Sequence, residues 1–169
     1  MTHATGTLQD LPLLRVHLVR EGRASTLSLQ AITSPADAAR LLAPLLRDRD
    51  RETVAVLLLD IKHRPLGVHI AHEGSLAECA VHPREVFKAA VLANAAALIL
   101  AHNHPSGDAT PSLPDTALWH LLRKVGEMMG IDVLDHVVIG LTRAVSCREV
   151  DQLGGSASTP YVREEEVTA

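Results

Sequence analysis

Aromatic residues are nearly absent: Phe87, Trp119 and Tyr161 are the only three in 169 residues, 2 % of the chain. The core must therefore be built from Leu, Val, Ile and Ala, and there is little with which to stack unpaired bases. Cysteine is limited to Cys79 and Cys147, too few and too far apart for a disulfide framework or a paired-cysteine metal site. A basic excess is missing as well: 16 Lys and Arg face 20 Asp and Glu, for a net charge of −4. Arg47, Arg49 and Arg51 do cluster, but Asp48, Asp50 and Glu52 alternate with them, so the stretch reads as a solvated helix end and not as a phosphate-binding patch. Sequence-specific nucleic-acid binding is not expected from such a chain. No apolar run approaches the roughly 20 residues that span a bilayer, and the start has no basic segment followed by an apolar one. The expectation is a cytoplasmic protein without a membrane partner.

What is present is aliphatic. Apolar residues make up 47 % and charged residues 21 %, the balance of one globular domain with one core. Leu13 to Arg20 alternates in part and reads as a strand. Ser34-Pro35-Ala36-Asp37 supplies an N-cap, a proline at the first helical position and an acid in the first turn. A helix is expected from there to about Arg47, kinked or shortened by Pro44. Thr53 to Leu59 is a near-continuous aliphatic run, as in a strand buried on both faces. Leu66 to Ala71 reads as a second strand. Pro83 opens a helix over Arg84 to Asn94, and Ala97 to Ala101 is a further strand. Ser112 begins a long helix that Gly130 closes, and Ile131 to Ile139 is the last strong strand. Past Asp151 the chain turns Gly/Ser-rich and then acidic at Glu164-Glu165-Glu166. The pattern predicts an α/β fold, a mixed β-sheet sandwiched by helices. Residues 1–11 are expected to be a flexible N-terminus, 12–150 the domain, and 151–169 a flexible tail.

The chemistry gathers between His102 and Asp115. In a strand, residues i and i+2 share a face, so His102 and His104 project together from the strand end. Two such imidazoles can hold one ion at about 2.0–2.1 Å. Pro105, Gly107 and Pro111 turn the chain, and Asp115, in the first turn of the next helix, can return a carboxylate to the same ion. Two histidines and an aspartate leave a fourth tetrahedral position for water, the pattern of catalytic and not structural zinc. The ion and the helix N-terminus together would draw that water's pKa toward about 7. Ser112 could donate to an oxyanion. A general base is needed too, and spacing does not choose among Glu52, Glu73, Glu78 and Glu85. Plainer readings compete. With ten histidines in the chain, one H-x-H pair is weak by itself. Ser112-Leu113-Pro114-Asp115 also has the form of a capping box, which serves the helix and no ion. The letters His-Asn-His do not make an HNH nuclease, whose motif spreads over a ββα unit. The H-x-E and P-C-x-x-C patterns of zinc nucleobase deaminases are absent.

Taken whole, the segment resembles the JAMM (MPN+) metalloprotease signature: a glutamate, then H-x-H, seven residues, Ser, two residues, Asp. His102, His104, Ser112 and Asp115 match every offset. The RadC-like branch is the nearer likeness, through AHNHPSGDATPS at 101–112, VHPREVF at 81–87 and LDHVVIG at 134–140, and the resemblance covers roughly 30 to 150. It implies a JAB/MPN-like, cytidine-deaminase-like architecture holding one zinc ion per chain on His102, His104 and Asp115. It also selects the base, since the family's glutamate stands just before the first buried strand, the place of Glu52 in RETVAVLLLD. Ser112 takes the role of stabilising the tetrahedral intermediate. The implied function is zinc-dependent hydrolysis of peptide or isopeptide bonds by a metal-activated water, with a peptide or protein as substrate. The alternative is a non-catalytic, metal-stabilised module that binds a protein or DNA partner. RadC-like proteins often carry an N-terminal helix-hairpin-helix region, for which this chain is too short. Specificity is expected to reside in the loops near Gly74–Val81 and Ser106–Pro111.

Overall fold

The aliphatic run Thr53–Leu59 is strand β1, and all seven of its residues are buried. The computed structural model, which describes residues 15–19, 22, 30–74, 81–154 and 161–162, gives the reason. β1 lies inside a six-stranded sheet, between β2 (Pro65–Glu73) and β3 (Ala97–Asn103). Beyond β3 come β4 (Asp132–Ile139), β5 (Ala144–Ser146) and β6 (Tyr161–Val162). β3 and β4 are parallel, and the other neighbouring pairs are antiparallel. The parallel pair requires a crossover, and helix α3 (Leu113–Met129) provides it. Helices α1 (Pro35–Leu46) and α2 (Pro83–Leu92) precede β1 and β3, and α4 (Cys147–Gln152) follows β5. This is the mixed, helix-covered α/β sheet that the sequence predicts. No described helix is long and apolar enough to cross a membrane.

Strand alternation sorts the core into two layers. Ala55, Leu57 and Leu59 of β1 and Ala97, Ile99 and Ala101 of β3 pack with α1. Val54, Val56, Leu58, Leu98 and Leu100 pack with Val86 and Phe87 of α2 and Leu118 and Leu122 of α3. His102 continues the Leu98–Leu100 series, so it faces α3. β3 runs two residues beyond its expected end, which puts His102 inside the strand and His104 just past it. β4 carries one extra residue: Val133 stands opposite Leu98 and Asp135 opposite Ile99, leaving Leu134 between them. Both β1 and β3 are read correctly from their apolar runs, whereas this bulge leaves no mark in the pattern.

Two elements differ from expectation. Residues 15–19 form no strand, and Val16, Leu18 and Val19 are 69 %, 48 % and 75 % exposed. Their partial alternation has no ladder partner among the described strands, and a strand without one buries nothing. The rest of 13–20, the segment 1–11, and the tail apart from 151–154 and 161–162 lie outside the described residues. α4, only six residues long, is too short to show a helical period. The expected domain end at 150 falls within it, and β6 pairs with β5 beyond it.

The segment after β3 is clamped to the turn after β4. His104 N donates to Ile139 O (3.0 Å), Gly107 N to His104 O (2.9 Å) and Leu141 N to Gly107 O (2.9 Å). Gly140 passes so close that a Cβ there would lie 2.5 Å from Gly107 O and 2.9 Å from Ala109 N. Gly140→Ala must therefore displace main chain, and we expect a loss of about 1–3 kcal/mol by denaturant titration. Unchanged stability would contradict this packing.

α1 yields a pH prediction. Burial tends to raise the Asp37 carboxyl, but hydrogen bonds from Thr33, Ser34 and Arg40 outweigh it and hold the pKa at about 2. Asp37 Oδ2 accepts from Thr33 N and Ser34 N (both 3.0 Å), closing a capping box with Ser34. A depressed carboxylate stabilises fully above its unfolded pKa of 3.8 and loses that contribution as pH falls through about 2. Wild type should exceed Asp37→Asn by about 1 kcal/mol at pH 6, after allowing for solvent screening, and the gap should close by about pH 2. A gap independent of pH would exclude this linkage.

Candidate metal centre

β3 delivers His102, fully buried, and His104, whose side chain is 13 % exposed at the mouth of the site. α3 delivers Asp115 from its first turn, 3 % exposed. His102 Nε2 stands 3.0 Å from His104 Nε2 and 3.2 Å from Asp115 Oδ1, and His104 Nε2 stands 3.4 Å from Asp115 Oδ2. A tetrahedron with bonds of about 2.0–2.1 Å has ligand-to-ligand edges of roughly 3.3 Å, the scale of these separations. Two imidazole nitrogens and a carboxylate oxygen form a borderline donor set suited to zinc and its neighbours in the first transition row. The three residues expected to share an ion are thus brought together, and the group could hold a metal.

Each histidine is oriented through its other nitrogen. His104 Nδ1 bonds Asp108 O at 2.7 Å. The Asp108 carboxylate in turn accepts from Thr110 N, Thr110 Oγ1 and Arg143 Nη2 at 3.0, 2.8 and 3.1 Å. His102 Nδ1 meets His136 Nε2 at 2.8 Å. In both rings Nε2 is left for the shared point, which is how proteins present imidazole to metals.

The capping box is formed as well, so the two readings of Asp115 are compatible. Ser112 N and Ser112 Oγ donate to Asp115 Oδ2 at 2.7 and 2.6 Å, and Asp115 N donates to Ser112 Oγ at 3.3 Å. The box engages Oδ2, and Oδ1 faces His102. Burial works against the Asp115 charge, but the hydrogen bonds to His102, His104 and Ser112 prevail and hold its carboxyl far below the ordinary range. His104 is raised, chiefly by its bond to Asp115, against an opposing desolvation.

Glu52 lies just before β1, half-buried, and its charge acts on His104. Of the other candidate bases, Glu73 pairs with Arg49 and Glu85 with Lys88, while Glu78 lies outside the described residues. So does most of the Gly74–Val81 loop. Asn103, between the two histidines, points the opposite way and braces the Glu52 segment: its Oδ1 accepts from Thr53 N at 2.9 Å, and its Nδ2 donates to Arg49 O and Arg51 O at 3.2 and 3.1 Å. The sequence reading missed Asn103, Asp108 and His136. Asn103 carried a signal, because the residue between two same-face ligands must point to the other side of the sheet.

Comparison with known proteins agrees with this geometry. A family model described as a RadC-like JAB domain matches residues 32–153. A UPF0758 protein of Moorella thermoacetica is 45 % identical over 134 residues, 79 % of this chain and 58 % of the relative. A UPF0758 protein of Thermosynechococcus vestitus is 47 % identical over 122 residues, 72 % of this chain and 49 % of the relative. One from Caldanaerobacter subterraneus is 43 % identical over 135 residues, 78 % and 58 % of the two chains. The chain thus spans about half to three fifths of the length of these relatives. Sheet, motif and sequence identity together place it in the RadC-like JAB-domain family, a branch of the JAMM/MPN proteins.

Proposed function

We propose that this protein is a zinc-dependent hydrolase of peptide or isopeptide bonds. The observation that carries the reading is the convergence of His102, His104 and Asp115 at 3.0–3.4 Å, with His104 at the solvent side and the Glu52 charge within reach of it. His102, His104 and Asp115 would hold one zinc ion per chain, and three protein ligands leave a coordination position open. When bound, zinc supplies a Lewis acid for the substrate carbonyl and lowers the pKa of water.

The remaining work falls to the chain's own residues. Glu52 takes a proton from the attacking water and delivers it to the leaving amine nitrogen, so that one amide and one water become a carboxylate and an amine. Ser112 holds Asp115 Oδ2 from the N-cap of α3. We assign its hydroxyl a second task, donating to the oxyanion that develops on the substrate carbonyl. The N-terminus of α3 adds partial positive charge on the same side. The partner is a peptide or protein presenting an amide carbonyl at the His104 side. The acidic balance and the shortage of aromatics favour no sequence-specific nucleic acid.

The test is to incubate zinc-loaded protein with peptide and isopeptide libraries and follow products by mass spectrometry, with Glu52→Gln in parallel. The variant should keep its zinc, because Glu52 is not among the ligands, and should lose about 10²–10⁴-fold in turnover. Full activity in Glu52→Gln would move the base elsewhere. No cleavage of any library member by the zinc-loaded wild type would support a binding module instead.

A further inference from the structure

His136 is fully buried, and burial, with His102 beside it, pushes its pKa down to about 3, so the ring is neutral. Its Nε2 meets His102 Nδ1 at 2.8 Å. Its Nδ1 has no partner in hydrogen-bonding geometry among the described residues. The Asp115 main-chain carbonyl favours a proton on this ring without completing a bond. A buried imidazole with one unsatisfied nitrogen is a liability that an apolar side chain would avoid. The contact to His102 is the one polar use that the described structure gives this ring.

The fold also arranges for that contact. Without the extra residue Leu134, the pairing of Leu98 with Val133 would carry on to set His136 opposite Ala101, on the α1 face. With it, His136 stands opposite Leu100, on the face of His102. The bulge is pinned by Asp135, whose Oδ1 accepts from His136 N at 2.7 Å and from Arg148 N at 3.2 Å, while its Oδ2 accepts from Ser146 Oγ at 2.7 Å.

We propose that His136 is a positioning residue that fixes His102 as the Nδ1–H tautomer and so aims the His102 Nε2 lone pair at the metal position. The inference rests on the metal-site reading above. His102 Nδ1–H donates to His136 Nε2, and the His136 proton sits on Nδ1, toward the Asp115 carbonyl. The acceptor is unusual in kind. Metal-binding histidines often donate to a carboxylate, whereas here the acceptor is a neutral ring. With Asp115 as the only carboxylate, a divalent ion would keep a net positive charge.

The experiment uses ¹⁵N-labelled full-length protein and zinc as the probe. Zinc affinity is read by competition with a chromophoric chelator. Long-range ¹H–¹⁵N spectra read which nitrogen of each ring carries a proton. In zinc-loaded wild type, we expect the proton on His102 Nδ1 and a ¹⁵N–¹⁵N coupling across the hydrogen bond to His136 Nε2. His136→Leu, which removes the acceptor, should weaken zinc binding about 10–100-fold, and His136→Gln, which can accept, should restore most of it. A wild type that binds no zinc would overturn the metal reading itself. A wild type that binds zinc, with the His102 proton absent from Nδ1 or zinc on His136, would overturn this inference alone. Unaltered zinc affinity in a folded His136→Leu would do the same. The wild-type spectra decide the matter even if a variant fails to fold.

Discussion

One carboxylate joins the two halves of this site. Asp115 stands 3.2 Å from His102 Nε2 and 3.4 Å from His104 Nε2, and it accepts from the hydroxyl and main-chain N–H of Ser112. The end of the sheet is thereby tied to the first turn of α3. Burying an ionised carboxylate costs several kcal/mol unless its surroundings replace the water it loses. Here the N-cap, the helix dipole and two imidazoles do so. A divalent cation at the point where the three side chains meet would complete that compensation, since it is the one partner that meets both imidazole lone pairs and the carboxylate at once.

Around this point lies a layer of residues that bind nothing but hold what binds. Asn103 secures the Glu52 segment to the end of β3. Asp108, through Arg143 and Thr110, keeps its carbonyl against His104. Asp135 and Ser146 lock the bulge that turns His136 toward His102. The close approach of Gly140 to Gly107 fixes the loop that contains Asp108. These contacts come from β1, β3, β4 and the turns between them, so the geometry of the site is a property of the sheet and not of one loop.

Much of this was legible because it follows from period and spacing. Thr53–Leu59 and the run ending at His102 read as buried strands through their aliphatic continuity. Ser34 and Ser112 read as N-caps through the acid three residues later. The metal triad was legible as a strand pair followed by a helix start. Glu52 was not legible on local physics, because a base 50 residues before the histidines has no spacing rule, and only the family resemblance singled it out. His136 was hidden by the bulge at Leu134: simple alternation cannot show that one skipped residue puts it on the His102 face. The Leu13–Arg20 pattern misled for the opposite reason, since alternation without a ladder partner buries nothing in the described part of that segment.

The central claim is that His102, His104 and Asp115 bind one metal ion and leave a position open. X-ray absorption at the zinc edge of the metal-loaded protein tests this most directly. The account predicts a first shell of nitrogen and oxygen only, at about 2.0–2.1 Å, with two imidazole scattering patterns that fall to one in His104→Ala. A sulfur ligand, a third imidazole, or an unchanged shell in His104→Ala would contradict it.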